Sequence, residues 1–285
     1  MHVLITGASG QLGIALQQAL RAHDVVALGH AELDITDDDR VREAVTAAHP
    51  AVVIHCAAWT DTAGCERDPK RAMLVNGEGT RNVAAACREA GAAMLYVSSN
   101  EVFDGEKGAP YAEDDAPNPI NAYGRSKLAG ENAVRETLAA HYIVRTSWVY
   151  GPGRVSFPEK VLLNAAGQTA LKGVTDEIAS PTWTNDLAEA ITLLIQTNEY
   201  GTYHLAGEGE CSRKEWAEEV LRLAGLAVPV EATTQAAFGS AVRKPVRSTL
   251  ANERAAALGI RLRPWREALA DHMRLTAATK AGASA

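Results

Sequence analysis

The sequence predicts an α/β fold: a doubly wound parallel sheet with a smaller C-terminal lobe. Three observations carry this expectation. Apolar runs of strand length alternate with amphipathic helical stretches through the first 150 residues. A glycine-rich turn, Thr6-Gly7-Ala8-Ser9-Gly10-Gln11-Leu12-Gly13, joins the first strand to the first helix. Beyond Gly151 the alternation loosens, which marks a change of architecture.

In chain order, residues 2–6 read as a buried strand, 10–22 as a helix, 24–28 as a second strand and 37–49 as a second helix. Residues 51–56 form a third strand, 69–91 one long helix, 92–98 a fourth strand, 121–140 a helix and 142–147 a fifth strand. Consecutive parallel strands need crossovers, so the helices cover both faces of a Rossmann-like sheet. Farther on, 157–166 and 184–197 read as helices, 202–206 as a short strand and 212–224 as a helix opening at a serine cap. Residues 1–150 therefore make a dinucleotide-binding domain to which 184–206 return. Residues 151–183 and 207–275 make a substrate-binding lobe, and 276–285, rich in Ala, Thr, Gly and Ser, a flexible tail.

With 285 residues, 47% of them hydrophobic, the chain has ample material for a sizeable core. A formal charge of −7 argues against a general nucleic-acid or anionic-membrane surface, and no apolar run reaches the roughly 18 residues of a membrane span. Cys56, Cys65, Cys87 and Cys211 have neither metal-ligand spacing nor a disulfide framework. The chain enters a strand pattern at once, with no signal-peptide pattern. These features point to the cytoplasm and to no metal.

Gly7, Gly10 and Gly13 allow backbone N–H groups and a helix N-terminus to approach a dinucleotide pyrophosphate, although the spacing alone also suits a plain tight turn. Tyr123 and Lys127, four apart on a helix, share one face. A lysine beside the phenol lowers the cost of its phenolate, so the pair can exchange a proton with a substrate. On its own the pair also suits a half-buried tyrosine and a surface charge. Combined with a dinucleotide turn, it predicts hydride transfer.

Further segments resemble the extended short-chain dehydrogenase/reductase family over residues 1 to about 265. His55-Cys56-Ala57-Ala58 resembles the end of the family's third strand, and Asn76-Gly77-Glu78-Gly79-Thr80 its Asn-x-x-Gly-Thr helix motif. Ser98-Ser99-Asn100-Glu101-Val102-Phe103 is similar to the segment carrying its active-site serine. Asn121 to Glu131 and Arg145-Thr146-Ser147-Trp148-Val149-Tyr150-Gly151 are most similar to the branch that reduces nucleotide-linked 4-ketosugars. The resemblance implies Ser99, Tyr123 and Lys127 as catalytic residues. It implies a cofactor site at Gly7, Ser9, Gly10, Gln11, Leu12, Gly13, His30, Asp34, Ala57, Ala58, Asn76, Tyr123 and Lys127. It implies reduction at C4 of a nucleotide-diphosphate 4-keto-6-deoxyhexose, in deoxysugar biosynthesis, and leaves a homodimer open.

Candidate substrate residues are Ser99, Glu101, Trp148, Arg243 and Arg247. Trp148 is either core packing or a sugar-facing wall, the role the resemblance implies. Arg243-Lys244-Pro245-Val246-Arg247 is either a diphosphate clamp or a solvated basic loop. Three positions depart from the branch's pattern: Glu101 stands where a tyrosine is usual, Lys244 where an arginine is, and Arg247 where an asparagine is. Glu101 either accepts hydroxyl hydrogen bonds from a different sugar or points into solvent. The second strand ends Leu28-Gly29-His30 without the carboxylate that would bind an adenosine ribose, so NADPH is favoured, with NADH open. Two other functions share these motifs: an epimerase or dehydratase with bound NAD, and a non-catalytic regulatory subunit.

Overall fold

In the computed structural model, residues 1–282 are described, and of 278–282 only the helical backbone. The first half runs β1 (His2–Thr6), α1 (Gln11–Ala19), β2 (Asp24–Leu28), α2 (Asp38–Ala48), β3 (Val52–His55), α3 (Thr62–Arg67), α4 (Pro69–Met73), a π turn (Leu74–Glu78), α5 (Gly79–Ala90) and β4 (Ala93–Ser99). A 3₁₀ turn (Asn100–Val102) then precedes α6 (Ala122–Thr137), β5 (His141–Thr146) and β6 (Val149–Tyr150). The remainder is α7 (Phe157–Ala165), β7 (Leu171–Val174), β8 (Ile178–Ala179), β9 (Thr182–Trp183), α8 (Thr184–Leu194), β10 (Gly201–His204), β11 (Cys211–Ser212), α9 (Arg213–Leu223), β12 (Val230–Thr233), α10 (Gln235–Phe238), α11 (Glu253–Ala257) and α12 (Trp265–Gly282).

Six strands form one parallel sheet in the order β10-β5-β4-β3-β1-β2. Strand order reverses between β1 and β3, and a crevice opens there beyond the carboxyl ends. One face of the sheet is covered by Leu12 and Leu16 of α1 with Leu187, Ile191 and Leu194 of α8. The other is covered by Val41 and Val45 of α2, Val83 and Cys87 of α5 and Val134 of α6. A third core, with Tyr150, Trp216, Val220, Trp265 and Leu269, belongs to the second lobe. The chain returns from that lobe through α8 to β10, which extends the sheet beside β5.

The six strands of the main sheet begin within a residue of the expected apolar runs, but two helical stretches differ from expectation. The stretch 69–91 is α4, the π turn and α5 rather than one regular helix. Its junction residues Met73 and Gly79 keep right-handed helical backbone, so the register widens without breaking the axis. The stretch expected as a tail from Thr276 continues α12 to Gly282, while residues 283–285 lie outside the described residues. No helix among the described residues is long and apolar enough to cross a membrane.

Candidate active site

A cleft of about 1170 Å³ runs from the glycine turn to the second lobe. Gly7 has φ +70°, and a Cβ there would stand 2.6 Å from Ala57 N. A Cβ on Gly13 would stand 2.5 Å from the Gly7 carbonyl oxygen. The missing side chains thus let α1 and β3 close around the turn. Gly10 caps α1 without a side chain, which leaves the first-turn N–H groups for a ligand. This cradle fits a dinucleotide pyrophosphate. Ser9, Leu12, Ala57 and Ala58 line the same cleft.

His30 and Asp34 line it beyond β2. Asp34 Oδ1 accepts from Thr36 N (3.0 Å) and Thr36 Oγ1 (2.8 Å), and these bonds hold its carboxyl below the usual range. The strand end itself has no acid, but Glu32 folds back so that its carboxylate accepts from Gly29 N at 2.8 Å. Asn76 requires a correction. It is fully buried in the π turn and does not line the cleft. Its Oδ1 accepts from Trp59 N (2.8 Å), while Nδ2 donates to Trp59 O (3.1 Å) and Ser126 Oγ (2.9 Å). Asn76 braces the cleft wall instead of touching what lies in it.

The catalytic candidates converge on the same cleft. Asn121 caps α6 by accepting from Gly124 N at 2.8 Å. A Cβ on Gly124 would overlap the Glu101 carbonyl oxygen, so the glycine lets the first turn of α6 seat against the 3₁₀ turn. This contact sets Tyr123 beside Ser99. Ser99 Oγ accepts from Glu101 N at 3.1 Å. Burial pushes the Tyr123 phenol above its ordinary value and the Glu101 charge adds to this, while a hydrogen bond with Ser99 opposes it. Lys127 is buried, its Nζ 4.3 Å from the centre of the Tyr96 ring. Burial brings its ammonium down to about 7, although Glu131 favours the charged form. Burial thus outweighs whatever the Lys127 charge does for the phenol, and it dominates both groups.

A family model described as the RmlD substrate binding domain matches residues 1–277. The chain belongs to that family. The dTDP-4-dehydrorhamnose reductase of Streptomyces griseus is 42% identical over 278 residues, 94% of this chain and 91% of that protein. A dTDP-4-keto-6-deoxy-D-glucose reductase of Streptomyces niveus is 40% identical over 78% of each chain. The solved structure of dTDP-4-dehydrorhamnose reductase from Bacillus anthracis, in complex with NADP, matches with a TM-score of 0.92 at 37% identity, covering 95% of this chain and 97% of that one. As an RmlD-like member of the dTDP-4-keto-sugar reductase family, the chain is an NAD(P)-dependent reductase of the extended short-chain class.

The substrate end of this RmlD-family reductase departs from expectation. Arg243 and Arg247 do not line the cleft; Arg243 pairs with Glu106 at 3.2 Å in solvent and Arg247 with Glu210 at 2.8 Å. The two arginines expected to clamp a diphosphate thus stand outside the cleft lining. Lys244, between them, does line the cleft. Trp148 stacks on Trp216 with ring centres 5.5 Å apart and also lines the cleft. Its φ of +42° is unusual for a residue with a side chain. Sequence reasoning missed Phe157, Arg213 and Trp216, which line the cleft beside it. The Arg213 guanidinium lies 3.5 Å from the Trp148 ring centre. A cation directly after the Ser212 cap, with a tryptophan one turn on, was the available signal. Arg154 was also missed: it donates to Gln11 Oε1 (3.1 Å) while Gln11 Nε2 donates to Gly151 O (2.8 Å), tying the glycine turn to the second lobe.

Proposed function

We propose that this enzyme reduces the C4 ketone of a nucleotide-linked 4-keto-6-deoxyhexose with NADPH, in the manner of a dTDP-4-dehydrorhamnose reductase. The observation that carries the reading is one cleft with a glycine cradle at one end and Ser99, Tyr123 and Lys127 on its wall. The names of the Streptomyces griseus and Streptomyces niveus relatives support a dTDP-linked 4-ketosugar. Gly7, Gly10, Gly13 and the first turn of α1 would hold the pyrophosphate, with Ala57 and Ala58 along its flank. His30 supports the 2′-phosphate of NADPH, since it lines the cleft while the Glu32 carboxylate is engaged by Gly29 N. Bound NADPH supplies the hydride.

The chain's own residues manage the charge that this creates. Tyr123 gives its proton to the ketone oxygen as negative charge develops there, and Ser99 donates a hydrogen bond to the same oxygen. A phenol held above its ordinary value stays protonated, which is the form a reduction requires. The Lys127 ammonium favours electron density on Tyr123 once the proton has left. Asn76 and Ser126 keep the first turn of α6 in register with the cleft wall.

The test is oxidation of NADPH in the presence of dTDP-linked 4-keto-6-deoxyhexoses, compared with NADH at equal concentration. Wild-type enzyme turns over with a preference for NADPH. Tyr123→Phe lowers kcat by about 10²–10⁴-fold while the NADPH dissociation constant stays within a few-fold. A Tyr123→Phe enzyme with near-normal rates overturns the assignment.

A further inference from the structure

Two of the three positions at which the sequence leaves its branch's pattern at the substrate end meet in space. Glu101 and Lys244 lie 143 residues apart in the chain, yet Lys244 Nζ donates to Glu101 Oε1 at 2.8 Å. Their side chains are only 13% and 18% exposed, respectively, and both line the cleft. Asn121 Nδ2 donates to the other carboxylate oxygen, Oε2, at 2.7 Å. The same asparagine caps the helix that carries Tyr123, and Glu101 N donates to Ser99 Oγ. The carboxylate is thus aimed by two donors and tied to both ends of the proton-donating pair.

Each carboxylate oxygen can accept more than one hydrogen bond, and each here has one donor from this pair of contacts. The ammonium has three N–H donors, of which one is committed to Glu101. A carboxylate accepts and never donates when ionised, so it recognises a hydroxyl and disfavours a ring position that lacks one. Resting on the ketoreductase reading, we infer that Glu101, oriented by Lys244 and Asn121, reads the hydroxyl on the ring carbon beside the ketone and so sets which sugar is reduced. Lys244 is a positioning residue in this arrangement. Charge balance makes the two a unit, because removing either leaves the other without its counter-ion in a partly buried site.

The experiment compares a dTDP-4-keto-6-deoxyhexose with its 3-deoxy analogue, using wild type, Glu101→Leu, which removes the acceptor, and the double variant Glu101→Leu/Lys244→Met, which also leaves no unpaired charge. Wild type shows kcat/KM about 10–100-fold lower on the 3-deoxy sugar, whereas both variants bring the two sugars to within about threefold, chiefly through KM on the hydroxylated sugar. NADPH affinity and the affinity for free thymidine diphosphate stay within a few-fold of wild type, a pattern that a folding defect would not produce. Equal use of both sugars by wild type, or full discrimination by the folded double variant, overturns the inference and leaves the ketoreductase reading standing. Wild type that binds NADPH but reduces neither sugar overturns both.

Discussion

At the scale of single residues, the active site turns on how burial treats two ionisable groups four positions apart. The spacing of Tyr123 and Lys127 was legible in the sequence because a helix face is a matter of counting. Their energetics were not, because burial depends on what the rest of the chain stacks above them. Burial raises the phenol and lowers the ammonium to about 7. The charged lysine is therefore present below pH 7 and lost above it, while the tyrosine stays protonated. Ketone reduction, measured as kcat/KM against pH, is expected to decline as pH rises through about 7. Lys127→Arg, whose guanidinium remains charged throughout, flattens that decline, even if its different shape lowers the plateau. The Glu101–Lys244 pair was hidden for a different reason: each residue read as an isolated departure until the fold brought them together.

At the scale of elements, α6 shows how a short motif encodes several contacts at once. Tyr123 and Lys127 face the cleft, Gly124 seats the helix on the 3₁₀ turn, and Ser126 bonds Asn76. Gly130 completes the set, since a Cβ there would overlap the Tyr96 hydroxyl. Gly124→Ala is expected to cost about 1–3 kcal/mol of stability in urea unfolding through overpacking. It should also lower kcat by more than it raises KM, because the displaced first turn carries Tyr123 away from Ser99. The π turn could not be read beforehand, because one extra residue in a helical turn leaves the apolar periodicity of a 23-residue stretch almost unchanged. Its function is visible only in three dimensions, where it turns Asn76 toward the backbone of Trp59.

Across the whole molecule, alternation of strands and helices was enough to read a parallel sheet, since buried strands and crossover helices leave different periodicities. The strand order was not read from the sequence, because the pairing of β10 with β5 is a long-range event. The sheet buries two histidines whose neutrality it enforces. His55 of β3 lies between Thr6 and Thr80, and burial together with the Lys127 charge pushes it down to about 3. His204 of β10 is pushed down to about 3 by burial and by Arg145. An unfolded histidine titrates near 6.5, so between about 3 and 6.5 the unfolded chain takes up protons that the native sheet refuses. Stability must then fall as pH decreases through 6.5, and the loss continues until the folded value is reached. From pH 7 to 5.5 the two sites together remove about 2.5 kcal/mol, a window that lies above the ordinary carboxylate range. Urea midpoints at intervals across it are expected to drop accordingly. His55→Asn and His204→Asn each remove about half of the slope, whatever their effect on stability at pH 7. A wild-type midpoint that is flat from pH 7 to 5.5 would show that these imidazoles accept protons without opening the sheet.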